Sequence, residues 1–328
     1  MSALTFFAGA LAGALTWNFT APLLEKKACF NPNPNQDGRW DVQSEAEEIR
    51  ILLLGDTGSG DEHQRDVATA SARTCDELGC DLVLMLGDNF IQHGVSSVDD
   101  PQWISKFEEM YTQQVPFYPI LGNHDLQGKW RPQVAYTERN KRWRMPNVNY
   151  SLVAGPAYIQ CINTSCTLCA LWTLFKRKER PWRLVCGHRP LATGGRHRGV
   201  TWLERLLIER SGPQFFLSGH NHMLEHLKIG EIDQVVAGGG GSPLNHTAKK
   251  PNPHQIFLHL GHGYAWMHLT STQATVRYFD DQGQEVMHVR KFFVSPTLCA
   301  SSCVRESTCE AYAVPLSQWD ECRLYGAT

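Results

Sequence analysis

The chain has 328 residues, of which 42% are hydrophobic and 20% are charged, and its formal net charge is −2. This length and composition are typical of a soluble enzyme with a sizeable core, in one large domain or two smaller ones. The sequence has no long basic run, so we expect no nucleic-acid partner.

The N-terminus is an apolar segment, because Ala3 to Trp17 contains no charged residue. It is shorter than the roughly 20 apolar residues of a membrane-spanning helix. It resembles the apolar part of a secretory signal, although the usual positive residues before it are missing. Three interpretations of residues 1–20 are open: a cleaved signal, a retained anchor that contacts a membrane, and a buried or disordered segment. Residues 21–48 predict a linker, because Asn31-Pro32-Asn33-Pro34-Asn35 cannot hold a helix.

Strands and helices are expected to alternate from Ile49 onward. Four-to-six-residue apolar runs that end before polar residues predict buried strands. These runs are Ile51 to Leu54, Asp81 to Leu86, Pro116 to Leu121, Arg183 to Cys186 and Phe215 to Ser218. Gln64 to Leu78 and Trp103 to Tyr111 favour helices between them. The alternation predicts the α/β class, with the polar residues gathered at one edge of a sheet.

The C-terminal part changes character. Gln255 to Val294 is β-rich and predicts an antiparallel region that closes a domain spanning residues 49–295. Residues 296–328 form a tail that is rich in cysteine. The clustered cysteines of the chain are Cys161, Cys166 and Cys169 in the middle, and Cys299, Cys303, Cys309 and Cys322 in the tail. They favour disulfide bonds in an oxidising compartment, with zinc as the alternative.

We therefore expect a secreted or secretory-lumen protein, with the membrane-anchored form as the alternative. Three Asn-x-Ser/Thr sequons, at Asn18, Asn163 and Asn245, would be glycosylation acceptors in that setting.

Five short motifs follow one another in a fixed order, and each places Asp, Asn or His after a short apolar run. They are Gly55-Asp56-Thr57-Gly58, Gly87-Asp88-Asn89-Phe90, Gly122-Asn123-His124-Asp125, Gly187-His188-Arg189-Pro190 and Gly219-His220-Asn221-His222. One such motif alone is usually a turn or a helix cap. All five together predict a ligand set for two metal ions that share a carboxylate, a centre typical of phosphate-ester hydrolysis.

The side chains suggest how the ions would be shared. Asp88 is the candidate bridge, because a carboxylate has an oxygen for each ion. Asp56 would bind one ion, and Asn123 would offer a neutral carbonyl oxygen to the other. Imidazole nitrogens would come from His188, His220 and His222. Mixed oxygen and nitrogen ligation suits iron, zinc or manganese and argues against calcium or magnesium.

These motifs, with Gln64-Arg65-Asp66-Val67-Ala68, Gly87 to Gly94, Gln133-Val134-Ala135-Tyr136 and Lys141-Arg142-Trp143, resemble the calcineurin-like metallophosphatase superfamily. Within it, the sequence is most similar to the small purple acid phosphatases of the tartrate-resistant kind. The resemblance covers Ile49 to Leu244. It implies a four-layer α/β sandwich of two mixed β-sheets flanked by helices, here followed by a short cysteine-rich extension.

The resemblance also implies roles for individual residues. Asp56, Asp88 and His222 would hold the first metal ion, and Asp88, Asn123, His188 and His220 the second, as iron with iron, zinc or manganese. His124 matches the phosphate-binding and proton-donating His of the family, with Asp125 as its orienting partner. His197, nine residues after His188, matches a second such His.

The activity implied is that of an acid phosphatase. A metal-bound hydroxide would attack phosphorus in line, while His124 or His197 would protonate the leaving alkoxide. The substrate would be a small phosphate ester or a phosphoprotein.

The sequence departs from the family pattern at the first metal site. The family has a metal-binding Tyr three residues after the bridging Asp, and this chain has Ile91 there. Other members of the superfamily have a His two residues after the first Asp, and this chain has Gly58. The stretch from Asn123 to His188 is also shorter than in the family. We therefore expect no purple colour, and His63 and His93 are the nearby candidates to replace the missing ligand.

Two alternatives remain to the phosphomonoesterase. One is a non-catalytic member of the fold that binds or anchors another protein, which the missing ligand and the two unusual termini favour. The other is a phosphodiesterase or nucleotidase acting at the same site. The tail resembles a fragment of a PAN/apple-type module, which implies contact with a protein or glycan; otherwise it is an extension held by disulfides.

Overall fold

The computed structural model describes residues 39–166, 170–176, 178–244, 252–293 and 313–314. Their strands form two sheets and are numbered here along the chain. Sheet A has eight strands in the spatial order β1 (Arg39–Val42), β5 (Tyr150–Ala154), β6 (Ala157–Ile162), β7 (Trp182–Gly187), β8 (Phe215–Ser218), β10 (Ile232–Ala237), β9 (Leu224–Ile229) and β11 (Gln255–His259). Sheet B has seven, in the order β15 (Ala313–Val314), β14 (Glu285–Phe292), β13 (Gln273–Asp280), β12 (Gly263–Thr270), β2 (Glu48–Leu54), β3 (Leu82–Met85) and β4 (Phe117–Pro119).

Helices cover the outer faces of both sheets. The α-helices are α1 (Glu62–Leu78), α2 (Arg131–Ala135), α3 (Leu171–Phe175) and α4 (Trp202–Ser211). Shorter turns are a π-helical turn at Ile104–Glu108 and 3₁₀ turns at Asp125–Gln127 and Tyr136–Glu138. Helix α1 packs against β12 of sheet B, and α3 and α4 pack on sheet A through Leu174 and Ile208. The predicted four-layer sandwich of two mixed sheets is confirmed.

The main core lies between the sheets, because buried apolar side chains of both sheets contribute to one cluster. Strands β2 and β3 are completely buried along their apolar runs, so they show no alternation of polar and apolar residues. Both sheets are mixed: β2, β3 and β4 are parallel, whereas β12, β13 and β14 are antiparallel. The antiparallel region predicted for Gln255 to Val294 is confirmed.

Two regions differ from the sequence expectation. Strand β1 lies inside the stretch predicted as a linker and pairs in parallel with β5, so the folded unit begins before Ile49. Its four residues are too few to show a periodic pattern of polar and apolar residues. They form a strand through backbone pairing with β5. The helix expected from Trp103 to Tyr111 is instead a π-helical turn, in which the Glu109 amide donates to the Ile104 carbonyl.

The predicted segments at both ends, residues 1–20 and most of residues 296–328, lie outside the described residues, as do Asn18 and Asn245. Asn163 is described and is completely buried. Within the described part of the chain, no helix is long and apolar enough to span a bilayer. A disulfide joins Cys75 to Cys80 at the end of α1, and Cys166 is also disulfide-bonded, whereas Cys161 and Cys186 are buried free thiols.

A buried polar bridge joins the two sheets. Asp233 of β10 accepts hydrogen bonds from Nε2 of His226 at 3.1 Å and from Nζ of Lys228 and Lys291 at 2.9 and 2.7 Å. Nδ1 of His226 lies 2.8 Å from the Tyr278 hydroxyl in sheet B. Burial raises the pKa of Asp233, but the His226 hydrogen bond and the two lysines lower it more, so the net shift is downward.

We expect Asp233→Asn to lower the free energy of unfolding by about 3 kcal/mol at neutral pH, because it leaves the buried His226 and the partly buried Lys291 without their anion. Since the folded-state pKa lies below the unfolded one, the contribution of Asp233 is present above about pH 4 and is lost as the pH falls. Urea unfolding at neutral and acidic pH measures both effects. Asp99→Asn, at an exposed ion pair with Arg139, is the matched control, and an equal loss in both variants would contradict the assignment.

Candidate metal centre

The polar residues of the five motifs meet at one edge of the sandwich. Asp56 follows β2 and Asp88 follows β3, which are parallel neighbours in sheet B. His188 follows β7 and His220 follows β8, which are parallel neighbours in sheet A. The carboxyl ends of parallel strands share an edge, and the two sheets face each other, so the four loops converge.

A buried cluster lies at the point of convergence. Ligand atoms of Asp56, Asp88 and His188 all lie within 4.8 Å of one another, and all three side chains are buried. Nε2 of His188 is 3.3 Å from Oδ2 of Asp88. The other ring nitrogen of His188, Nδ1, lies 2.8 Å from the Leu86 carbonyl, which fixes the ring orientation.

The remaining predicted ligands surround this cluster. Oδ1 of Asn123 and Nδ1 of His220 each lie 3.2 Å from Nε2 of His188. Nε2 of His222 lies 3.5 Å from Oδ1 of Asp56, while its Nδ1 faces the Pro243 carbonyl at 2.7 Å. The structure thus brings together all six residues predicted as metal ligands, whose individual roles stay predictions.

The donor set fits metal ions. Oδ1 of Asp56 is buried and makes no hydrogen bond, so one oxygen of a buried carboxylate is left without a hydrogen-bond donor. Carboxylate, amide and imidazole donors within a few ångströms suit zinc, iron or manganese. The described residues therefore form a metal-binding site, and the donor set does not decide which metal it takes.

Electrostatics supports the same conclusion. Burial raises the pKa of Asp56 to about 7. Burial also opposes ionisation of Asp88, but the charge and hydrogen bond of His188 lower the pKa of Asp88 well below its usual range. The pKa of His188 rises to about 9 despite burial, because Asp88 stabilises the imidazolium. Burial and the neighbouring His188 lower the pKa of His220 to about 2. Two buried carboxylates in one cluster need positive charge, which a proton or a metal ion supplies.

The loops carry backbone strain at the site. Asp56, Asp88 and His220 have φ angles of +58°, +54° and +72°, which non-glycine residues rarely adopt. Each such residue costs about 1 kcal/mol or more. The strained conformations are held by backbone hydrogen bonds, such as the one that the His220 amide donates to Oδ2 of Asp56 at 2.7 Å.

The position of Gly58 explains one departure from the family pattern. A Cβ at Gly58 would lie 2.5 Å from backbone atoms of Asn89, Phe90 and Ile91, so no side chain fits there. Neither His63 nor His93 belongs to the buried cluster of described residues. His63 instead stacks on His262, with ring centroids 4.4 Å apart. That either His63 or His93 replaces the missing protein ligand stays a prediction.

His124 lies at the mouth of the centre. Its amide donates to Oδ1 of Asp88 at 2.8 Å, and its Nε2 is 4.0 Å from Oδ2 of Asp88. The side chain is 32% exposed, so a substrate can reach it.

Asp125 is completely buried, and its carboxylate accepts hydrogen bonds mainly from backbone amides. Its carboxylate accepts hydrogen bonds from the amides of Gly122, Asn89 and Phe90 and from the Gln133 side chain. Burial and the neighbouring Asp88 raise its pKa to about 6. These contacts hold the loop of Asp88 against that of Asn123 and His124. The catalytic role predicted for Asp125 stays a prediction.

His197 lies beside two of the predicted ligands. Its ring centroid is 5.2 Å from that of His220 and 5.9 Å from that of His222. Asn221 clamps its backbone, since Oδ1 accepts from the His197 amide at 2.8 Å and Nδ2 donates to the His197 carbonyl at 3.2 Å. Burial lowers the pKa of His197, and the positive charges of His222 and Arg196 lower it further.

Two residues of the site were missed by the sequence interpretation. Glu225 anchors the loop before His197, because it accepts from the Gly194 amide and the Thr193 hydroxyl. Arg189 lies close enough to His220 to lower the pKa of that ring, and its Nε is buried without a hydrogen-bond partner. Arg189 belongs to the motif Gly187-His188-Arg189-Pro190 and follows His188 directly. This position in the motif is the signal that could have identified Arg189.

A family model described as calcineurin-like phosphoesterase matches residues 49–224, more than half of the chain. Curated relatives include tartrate-resistant acid phosphatase type 5 of Homo sapiens, 29% identical over 297 residues that cover 74% of this chain and 90% of that protein. Purple acid phosphatase 7 of Arabidopsis thaliana is 27% identical over 279 residues, covering 73% and 84%.

Solved structures share the fold. GAP50, described as the anchor in the inner membrane complex of Plasmodium, superposes with a TM-score of 0.69 at 19% identity, covering 76% of this chain and 90% of that one. The purple acid phosphatase PPD1 of Lupinus luteus superposes with a TM-score of 0.59 at 16% identity, covering 75% and 54%.

We expect Gly122→Ala to abolish metal binding without unfolding the sandwich. A Cβ at Gly122 would lie 2.1 Å from Oδ1 and 2.2 Å from the amide of Asp88, so Asp88 must move. Elemental analysis of the purified variant measures the bound metal. The control is Gly212→Ala at the end of α4, where a Cβ meets nothing within 4 Å; its φ of +70° should cost only about 1 kcal/mol of stability. Full metal content in Gly122→Ala would contradict the position assigned to Asp88.

Proposed function

This chain belongs to the calcineurin-like phosphoesterase family, and on that premise we propose that it is a phosphomonoesterase working with two metal ions. The observation that carries the proposal is the buried cluster of Asp56, Asp88 and His188, with Asn123, His220 and His222 around it. Iron paired with iron, zinc or manganese suits these donors. The 25–29% identity to acid phosphatases supports the reaction class.

The protein side chains would hold two ions with Asp88 between them, Asp56 and His222 on one side, and Asn123, His188 and His220 on the other. When bound, the ions would supply an acidified water and positive charge for the phosphate. The strained backbone at Asp56, Asp88 and His220 keeps these donors in place before a substrate arrives.

Proton transfer to the leaving group is the task of a histidine at the mouth. His124 lies next to Asp88 and His197 next to His220, and both side chains are partly exposed, so a phosphate ester can reach them. A protonated imidazole here would stabilise charge on the phosphate and then donate its proton to the departing alkoxide. Asp125 acts on His124 by fixing the loop that carries it.

Arg189 would bind the substrate phosphate. A guanidinium with a buried, unpartnered Nε beside His220 needs an anion, and none of the ion pairs of the described residues includes Arg189. The substrate phosphate supplies that anion and would bring the guanidinium a charge-assisted hydrogen bond. We assign no preference between small phosphate esters and phosphoproteins.

We place the protein on the secretory route, as a secreted, lumenal or membrane-anchored enzyme. The disulfide bonds at Cys75–Cys80 and Cys166 favour an oxidising compartment. The apolar segment Ala3 to Trp17 would direct the chain there, or hold it on a membrane. The cysteine-rich tail, residues 296–328, would contact a protein or glycan.

A non-catalytic binding or anchoring role is the second candidate. Two observations favour it. No metal-binding side chain fits at Gly58, and the apolar Ile91 stands where the family has a metal-binding residue. The likeness to GAP50 supports the fold alone at 19% identity. The cluster of buried ligand residues favours the enzyme.

The proposal is tested by metal content and aryl-phosphate turnover on the same sample, across about pH 4 to 8. We expect two metal ions per chain and turnover that Asp88→Asn abolishes, because the shared carboxylate is lost. Asp99→Asn is the control. Less than one ion and no turnover after loading with iron, zinc or manganese would contradict the proposal and favour the anchoring role. Faster turnover of a phosphodiester or a nucleotide than of a phosphomonoester would instead identify the site as that of a phosphodiesterase or nucleotidase.

The proton-donor role predicts a dependence on the leaving group. We expect His124→Gln and His197→Gln to slow an alkyl phosphate about 100-fold more than 4-nitrophenyl phosphate, because nitrophenolate leaves without a proton. At least one variant must show this difference. His268→Gln, at an ion pair with Glu48, is the control. Equal losses with both substrates in both variants would assign these residues to binding alone.

The phosphate-binding role of Arg189 predicts a change in KM. We expect Arg189→Gln to raise the KM for an aryl phosphate and the inhibition constant of inorganic phosphate by about tenfold to 100-fold, since a hydrogen bond to a charged group is lost. Arg189→Lys should give a KM and an inhibition constant between those of the wild type and of Arg189→Gln, because lysine keeps the charge and loses the guanidinium geometry. Arg210→Gln, on the outer side of α4, is the control. An unchanged inhibition constant would rule out the contact.

A further inference from the structure

Helix α4 carries apolar side chains on its solvent side. Trp202 is 76% exposed, Leu203 40% and Leu206 37%. At 3.6 residues per turn, these three and Arg210 share an arc of about 100°. Ile208 and Ser211 lie outside that arc and are completely buried against sheet A. The apolar stripe is therefore additional to the packing face that holds the helix.

The exposed stripe is fixed in place rather than frayed. Thr201 and Glu204 form a capping box at the start of α4, so Trp202 is presented on the first turn. Helix α3 packs beside α4 and exposes Phe175 by 47%. We call Phe175, Trp202, Leu203, Leu206 and Arg210 the α3–α4 face. It contains four of the seven large hydrophobic residues that the described chain exposes, a concentration typical of an interaction site.

Positive charge is concentrated in the same part of the chain. Residues 171–212 contain ten Lys or Arg and only three Asp or Glu, although the whole chain has a net charge of −2. Glu204 is engaged in the capping box, and Glu209 pairs with Arg205 at 2.6 Å. None of the ion pairs among the described residues includes Arg198 or Arg210, which are exposed.

We propose that the α3–α4 face docks on an anionic membrane surface. Exposed Trp, Phe and Leu near exposed Arg residues, here Arg198 and Arg210, are the combination that inserts at a lipid headgroup boundary and is attracted by anionic lipid. A second copy of the chain fits less well, because a symmetric contact would bring two positively charged faces together.

Docking would bring the metal centre near the bilayer. Trp202 is five residues after His197, so their Cα atoms are at most about 18 Å apart. The ring of His197 lies 5.2 Å from that of His220. A chain held by Trp202 and its neighbours would therefore work on phosphate groups at or close to the surface.

The test is binding of the full chain to vesicles of phosphatidylcholine alone and of phosphatidylcholine mixed with phosphatidylserine. The uncharged segment Ala3 to Trp17 contributes equally to both, so the ratio of the two affinities reports on the α3–α4 face. We expect a preference of at least about tenfold for the anionic vesicles. Trp202→Ala/Leu206→Ala should reduce binding to them by at least tenfold, and each of Arg198→Gln and Arg210→Gln by about fivefold.

The matched control is Ile256→Ala/Leu260→Ala, which removes two residues exposed by 42% and 41%, one in the edge strand β11 and one directly after it. Trp202 is exposed enough that its loss should leave the fold intact, which circular dichroism checks. The proposal fails if the wild type shows no preference for anionic vesicles, or if the control loses as much binding as the α4 variant. It also fails if Trp202→Ala/Leu206→Ala instead abolishes a dimer in sedimentation, or binding to a soluble acidic polypeptide. None of these readouts requires phosphatase activity.

Discussion

The rest of the site depends on one electrostatic constraint, the burial of Asp56 and Asp88 in a single cluster. Two carboxylates out of water repel each other and lose their hydration, which is tolerable only with positive charge between or beside them. The imidazole of His188 meets this need in part, because Asp88 raises the pKa of His188 and His188 in turn lowers the pKa of Asp88. Oδ1 of Asp56 accepts no hydrogen bond and has Nε2 of His222 at 3.5 Å, so this oxygen is open to further positive charge.

The fold is arranged to maintain this cluster. Parallel strands from two facing sheets end at one edge, and strained loops turn the polar side chains inward. Buried acceptors hold those loops from behind: Asp125 fixes the loops of Asp88 and His124, and Glu225 fixes the loop before His197. Asp125 and Glu225 thus hold the backbone of the loops that carry the site residues. The segment after His188 and His197 leads into α4, whose solvent side carries exposed apolar residues and the exposed Arg210.

Much of this could be predicted from the sequence, because continuous apolar runs ending in Asp, Asn or His report both a buried strand and its polar end. Strand β8, Phe215–Ser218, has the predicted bounds. What failed depends on distant partners. Strand β1 depends on pairing with β5, and Arg189 is marked as a site residue only by its electrostatic effect on His220 and its buried Nε. The steric exclusion at Gly58 likewise follows from a loop thirty or more residues away.

The most direct test of the central claim is a crystal structure with anomalous diffraction measured at the absorption edges of iron, zinc and manganese. We predict two anomalous peaks, with Asp88 bound to both and Asp56 contributing its Oδ1 to one. A structure at the same pH in which metal-loaded protein shows no peak between Asp56, Asp88 and His188 would contradict the claim. It would mean that protons, and not metal ions, neutralise the buried carboxylates.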